Sequence, residues 1–108
     1  MVHDKVEIKF NFSNLTPVLI TDLKDLVKYN IDHKVDSYLQ KIFKKADAKV
    51  SIDINIKKNK KWEFNGIFNF MLDGKPFHYE REGYTMPEDL VNNAFDRLKE
   101  QFLKIFKD

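Results

Sequence analysis

Residues 48–82, "AKVSIDINIKKNKKWEFNGIFNFMLDGKPFHYERE", decide the fold. In the first third Val50, Ile52, Ile54 and Ile56 alternate with Lys49, Ser51, Asp53, Asn55 and Lys57. That period belongs to a strand with one face buried and the other in water. The tract "KKNKK" (57–61) predicts a charged hairpin tip. "WEFNGIFNFML" then puts Trp62, Phe64, Phe68, Phe70 and Leu72 on one face. Gly66 leaves a gap in that row, which suits a bulge or the close approach of a helix. Asp73-Gly74 is a tight-turn pair, so "KPFHYERE" is expected to return as an antiparallel strand, broken at Gly83-Tyr84.

Working outward, "VEIKFNF" near the N-terminus alternates Val6, Ile8, Phe10 and Phe12 with polar residues and predicts another strand. Leu23, Leu26, Val27, Ile31, Val35, Tyr38, Leu39, Ile42 and Phe43 recur at helical spacing up to about Lys45. This helix has two candidate starts, Thr16-Pro17 and Thr21-Asp22, and Thr21 is preferred. The closing "TMPEDLVNNAFDRLKEQFLKIFKD" predicts a second helix with a capping box, Thr85 at the N-cap and Glu88 three residues on. Val91, Ala94, Phe95, Leu98, Phe102, Ile105 and Phe106 fall within an arc of about 120°. Arg97, Gln101 and Lys104 line the opposite flank, with Leu90 and Leu103 off the apolar arc. Strand, helix, three strands, helix: the expectation is an α+β two-layer sandwich, a four-stranded sheet with both helices on one face.

A length of 108 residues fits one domain, residues 1–108, and 43% hydrophobic content with ten Phe supports a folded core. No apolar run reaches the roughly 20 residues of a membrane span. "MVHDKVEIKF" has no signal-peptide core, so a cytoplasmic protein is expected. Without Cys there are no disulfides, Cys-based zinc sites or thiol catalysis. His3, His33 and His78 are scattered, and Gly66, Gly74 and Gly83 form no phosphate loop. Ser13, Ser37 and Ser51 lack nucleophile context. Glu80, Glu82 and His78 share a strand face, where a solvated edge is a plainer reading than acid–base chemistry. The expectation is a non-enzyme with no catalytic residue, cofactor, metal site or small-molecule substrate.

The net charge is only +2, yet residues 41–61 hold eight Lys against two Asp, while residues 80–89 hold four acids against Arg81. Such polarity suits orientation on a polyanion. Three basic groups stand out: Lys41, Lys44 and Lys45; the tip at 57–61; and Arg97 with Lys104. Singly each has an ordinary explanation, in helix-dipole complementation or edge protection. Together they favour nucleic acid, whose phosphates need several cations on one surface. Trp62, Phe64, Phe68 and Phe70 are assigned to the inward face, so stacking on exposed rings is not expected.

The chain resembles the short ribosome hibernation-promoting factors, also known as ribosome-associated inhibitors or σ54-modulation proteins. The resemblance lies in "KVEIKFNF", "IDHKVDSYLQKIF", "AKVSIDINI" and above all "DRLKEQ" (96–101), followed by Lys104 and Lys107. It implies a β-α-β-β-β-α sandwich shaped like a double-stranded RNA-binding domain. It also implies a monomeric stress-response factor that binds the small ribosomal subunit through 16S-type rRNA and occludes the mRNA/tRNA channel. By position it assigns rRNA binding to Lys34, Lys49, Arg97, Gln101 and Lys104. Asn92 stands where the family carries Asp, and Glu100 where it carries Arg. The segment "TPVLITDLKDLVKYN" is longer than the family's link into its first helix. Two alternatives stay open: a general double-stranded RNA-binding module using the tip at 57–61, and a protein adaptor using residues 80–89 or Leu90 and Leu103.

Overall fold

Val50, Ile52, Ile54 and Ile56 are all buried, as their alternation requires, and the chain folds around them. The computed structural model describes residues 5–106; His3 and Lys107 lie outside them. Its elements are β1 (Glu7–Ser13), α1 (Pro17–Asn30), a π-helical turn (Ile31–Val35), α2 (Asp36–Phe43), β2 (Val50–Lys58), β3 (Phe64–Leu72), β4 (Lys75–Tyr84) and α3 (Pro87–Ile105). The sheet order is β1-β2-β3-β4, with β1 parallel to β2 and the other neighbours antiparallel. A parallel pair needs a long crossover, which α1, the π turn and α2 supply. Asp73 (φ 50°) and Gly74 (φ 88°) make a two-residue turn with two left-handed positions.

All the helices cover one face of the sheet, where Leu23, Val27, Ile31, Val35 and Leu39 meet Phe68, Phe70, Phe95 and Phe102 in one core. This is the expected two-layer α+β sandwich. The opposite face carries Lys9, Asp53, Asn69 and His78 aligned across the four strands, with Ile67 and Met71 exposed among the polar residues. No helix is long and apolar enough to cross a membrane.

The first helix starts at Thr16-Pro17, not at Thr21. The Thr16 hydroxyl accepts the Leu19 N–H at 3.3 Å, and Pro17 opens the helix. Thr21 lies inside, its hydroxyl donating back to the Pro17 carbonyl at 3.1 Å. The segment read as a long link is therefore itself helical. The π turn follows from spacing. Buried apolar residues recur every four positions, at 23, 27, 31, 35 and 39. An α-helix overshoots such a spacing by about 40° per step. A locally wider turn takes up part of that drift and keeps Ile31 and Val35 inside.

The capping box at Thr85 does not form. Met86 is the N-cap, extended at φ −116° and ψ 116°, without a side-chain bond. Pro87 begins α3 one residue later than predicted, which puts Glu88 at the second helical position and out of reach of the box geometry. Two other expectations change. β4 runs on through Gly83 to Tyr84, with a register shift between Phe64 and Gly66. Trp62 is not in the inward row: it precedes β3, has φ 63° and is 75% exposed.

Leu90, placed off the apolar arc, is fully buried, whereas Leu103 is 53% exposed. Leu90 fills the gap above Gly66, where an added Cβ would sit 2.7 Å from Leu90 Cδ2 and 3.0 Å from Phe68 Cε1. Gly66→Ala is accordingly expected to destabilise the fold by about 1–3 kcal/mol through overpacking, and Leu90→Ala by about 2–5 kcal/mol. In urea denaturation the two losses should not add, because truncating Leu90 removes the clash. Simple additivity would mean that the glycine is required for another reason.

Candidate nucleic-acid interface

The edge strand β4 and the neighbouring flank of α3 form one polar surface. Tyr79 lies on the helix side of β4, its ring stacked under Arg81 at 4.6 Å. Gly66 pairs with Arg81 but Phe64 with Tyr84, so β4 carries an extra residue at this point. Gly83 has the left-handed φ of 79° that such a bulge needs, and its N–H donates to Asn65 Oδ1 at 3.0 Å. The bulge returns Tyr84 to the helix side, where its hydroxyl lies 3.5 Å from that of Tyr79 and accepts from Asn93 Nδ2 at 2.9 Å. Arg97, one turn further along α3, is close enough for its charge to act on Tyr79. Gln101 is half-buried and Lys104 exposed on the same flank. Arg97 also meets Glu100 at 3.5 Å.

The two phenols are driven apart. Burial, and then the bond to Tyr84, push Tyr79 up to about 12. The Tyr79 hydroxyl, followed by the Asn93 amide, holds Tyr84 below the ordinary tyrosine value.

Lys34 sits elsewhere. Its ammonium bonds Asp96 at 2.7 Å and the Asn92 carbonyl at 3.2 Å, and only a quarter of its side chain is exposed. Asp96 is turned about 100° from Arg97 around the helix, so Lys34 closes the seam between α3 and the crossover helices. The buried Asn30 donates to Leu26 O at 2.9 Å and to Asn92 Oδ1 at 3.0 Å in the same seam. Asn92 thus provides an uncharged acceptor in a half-buried place. Lys49 lies at the opposite end of β2 from the tip, where its backbone braces the Asp73-Gly74 turn. Lys45 pairs with Asp73 at 3.2 Å, and Lys41 lies over Tyr38 and Phe106. The structure therefore brings Arg97, Gln101 and Lys104 together, adds Arg81, and leaves Lys34 and Lys49 outside that group. Arg81 had one legible sign: it shares strand parity with Phe77 and Tyr79.

A second basic surface is the β2–β3 tip. Asn59 organises it: its Oδ1 accepts from Lys61 N at 2.9 Å and Glu63 N at 3.1 Å, its N–H donates to Glu63 O, and its carbonyl accepts from Trp62 N. These bonds hold Trp62 in its left-handed conformation. Lys58 Nζ is 4.1 Å from the indole centroid, and Asn14 Nδ2 donates to the Lys58 carbonyl at 3.3 Å. The exposed Trp62 was missed because alternation was counted from residue 62. The available signal was Asn59, whose side chain favours a local turn over a strand start.

On the open sheet face His78 bonds Asn69 and Glu80, which joins one of the two candidate carboxylates to an imidazole. Among the described residues no three His, Asp or Glu side chains converge as a metal ion would require.

No protein-family model matches the chain, and no curated protein matches its sequence. Its structure is similar to the crystal structure of the N-terminal domain of Protein Y from Thermus thermophilus, with a TM-score of 0.61 at 17% identity. The match covers 92% of this chain and 98% of that one. At that identity the likeness establishes a shared fold.

Absorbance titration of the phenols tests the β4 surface. Tyr84 should ionise below the usual range and Tyr79 only at about pH 12. Tyr79 favours its neutral form in the fold, so its contribution to stability is full below pH about 10 and lost as pH rises towards 12. Tyr84 has the opposite sign: its contribution grows as pH rises through its lowered value. Tyr84→Phe should abolish the early phase and bring Tyr79 down. A single phase near pH 10 would contradict the pairing.

Proposed function

We propose that this protein is a ribosome-associated translation inhibitor that acts by binding alone. It seats on rRNA of the small subunit and occludes the channel for mRNA and tRNA, with no bond made or broken. The observation that carries this reading is the exposed flank of α3 that bears Arg97 and Lys104, with Arg97 and Arg81 of the edge strand close enough for both charges to act on Tyr79. It joins the resemblance of "DRLKEQ" to the hibernation factors and a fold shared with the Protein Y domain. Guanidinium groups suit phosphate recognition because their fixed fork donates to two oxygens at once. Lys34 contributes indirectly in this reading, by fixing α3 against α1 and α2 through Asp96. Glu100 tempers the surface by pairing with Arg97, which accounts for a modest rather than strongly basic footprint.

Co-sedimentation with purified small subunits across a salt series tests the reading. Binding should fall steeply with salt, by about 0.7–0.9 log units per log unit for each phosphate-bound cation. Arg97→Glu/Lys104→Glu should weaken it by roughly tenfold or more, since a hydrogen bond to a charged group contributes about 1.5–3 kcal/mol. Glu100→Gln should strengthen it, most at low salt. Absence of binding at low salt would refute the ribosome reading. Loss on neutralising Lys57, Lys58, Lys60 and Lys61, with the Arg97/Lys104 variant unaffected, would instead favour a general double-stranded RNA-binding module.

A further inference from the structure

We infer that the β2–β3 tip is a separate binding site for single-stranded nucleic acid, in which Trp62 stacks on an unpaired base and the surrounding lysines hold its phosphates. Trp62 is the chain's sole tryptophan, and a large ring in water has no packing role to explain it. Its backbone is left-handed, a conformation that bulky residues rarely take. Four bonds to and from Asn59 hold the loop in this shape, so the ring is set in place before any partner arrives. Lys58 covers one face of the indole, and with three-quarters of the residue exposed a face remains for a planar partner.

The surroundings identify that partner. A groove of about 480 Å³ lies beside the ring, lined by Asn14, Lys57, Lys58, Asn59, Lys60 and Trp62. Its size falls in the range of about 300–1,000 Å³ usual for small-ligand sites. The lining is cationic, amide and aromatic, with no carboxylate. Ammonium groups match phosphate, amides match base edges, and an indole face matches any base. An acidic peptide would use the cations and leave the ring idle. A duplex would offer phosphates but no free base face.

The tip is also distant from the α3 flank. Phe64 pairs with Tyr84 at the tip end of the sheet, and α3 runs away from there, placing Arg97 about 15 Å and Lys104 about 26 Å along it. The site therefore does not rest on the ribosome reading, and either can fail alone.

The tryptophan itself reports on the test. Full-length protein is titrated with nine-nucleotide oligouridine and oligothymidine, following indole emission, and fluorescein-labelled oligomers give affinities by anisotropy. Emission should be quenched by one or both oligomers, and the two arms tell RNA from DNA preference. Trp62→Gly relieves the left-handed strain while removing the ring, so it should keep its urea midpoint yet bind about 5- to 150-fold more weakly. Trp62→Phe should retain most affinity. Lys58→Gln/Lys60→Gln should reduce the salt slope by about 1.4. Arg97→Glu/Lys104→Glu should leave oligomer binding unchanged. Unquenched emission, undiminished binding by Trp62→Gly, or equal quenching by inorganic phosphate or polyglutamate would each overturn the site.

Discussion

α3 can lie on the sheet at its observed depth because β3 has no side chain at residue 66. Leu90 Cδ2 occupies the space where a Cβ would be, and Leu90 is fully buried there. This contact fixes both the height of the helix and its rotation, since Val91, Ala94, Phe95 and Leu98 must then share the buried side. Once that rotation is set, the rest of the helix surface follows. Residues 92 and 96 turn towards the crossover helices, while 93, 97, 101 and 104 turn towards the edge strand. The same glycine pairs with Arg81 at the edge of the bulge in β4. One missing methyl group thus couples helix depth, helix rotation and the place where Tyr79, Tyr84, Arg81 and Arg97 meet.

The crossover helices are adjusted to the same frame. Their buried apolar positions recur every four residues, a spacing that a regular α-helix follows only by drifting round its axis. The π turn at Ile31–Val35 absorbs drift where Asn30 and Lys34 must both reach α3. A polar pair buried in a core is costly unless matched. Here the Asn30 amide N–H₂ donates to Leu26 and Asn92, while its Oδ1 is buried with no partner among the described residues; the bond to Asn92 specifies how α1 sits against α3. Lys34 is therefore better understood as a fastener than as an exposed cation, although its residue type gave no hint of this.

Most of the architecture was legible, for reasons that are local. Alternation at 50–56 and the Asp73-Gly74 pair depend only on neighbours in sequence, and both fold as read. The helix starts were harder because proline and threonine signals compete. Pro17 and Pro87 won, each setting the first helical residue over a nearby rival cap. The site was only partly legible. The flank of Arg97, Gln101 and Lys104 follows from helical rotation alone, but the split between that flank and Lys34 depends on which side of α3 faces the crossover. Trp62 was misplaced because the end of the tip is decided by the side-chain bonds of Asn59, not by strand period. Arg81 looked like a lone base among acids, and only the edge position of β4 sets it beside Arg97.

A net charge of +2 understates what this surface can do, because the acids are not spread evenly over it. Asp96 holds Lys34, and Asp73 holds Lys45. Both pairs join elements and have an evident architectural use. Glu100 tempers Arg97 at a looser 3.5 Å. At the tip, by contrast, no ion pair among the described residues engages Lys57, Lys58, Lys60 or Lys61. Four ammonium groups in five positions repel one another, a cost that only the Lys58–Trp62 contact offsets among the described residues. Counterions held near such a cluster are released when phosphates replace them, and that release rather than net charge drives polyanion binding. The carboxylates that pair with Lys34 and Lys45 thus close the fold, and the tip lysines have no such use in it.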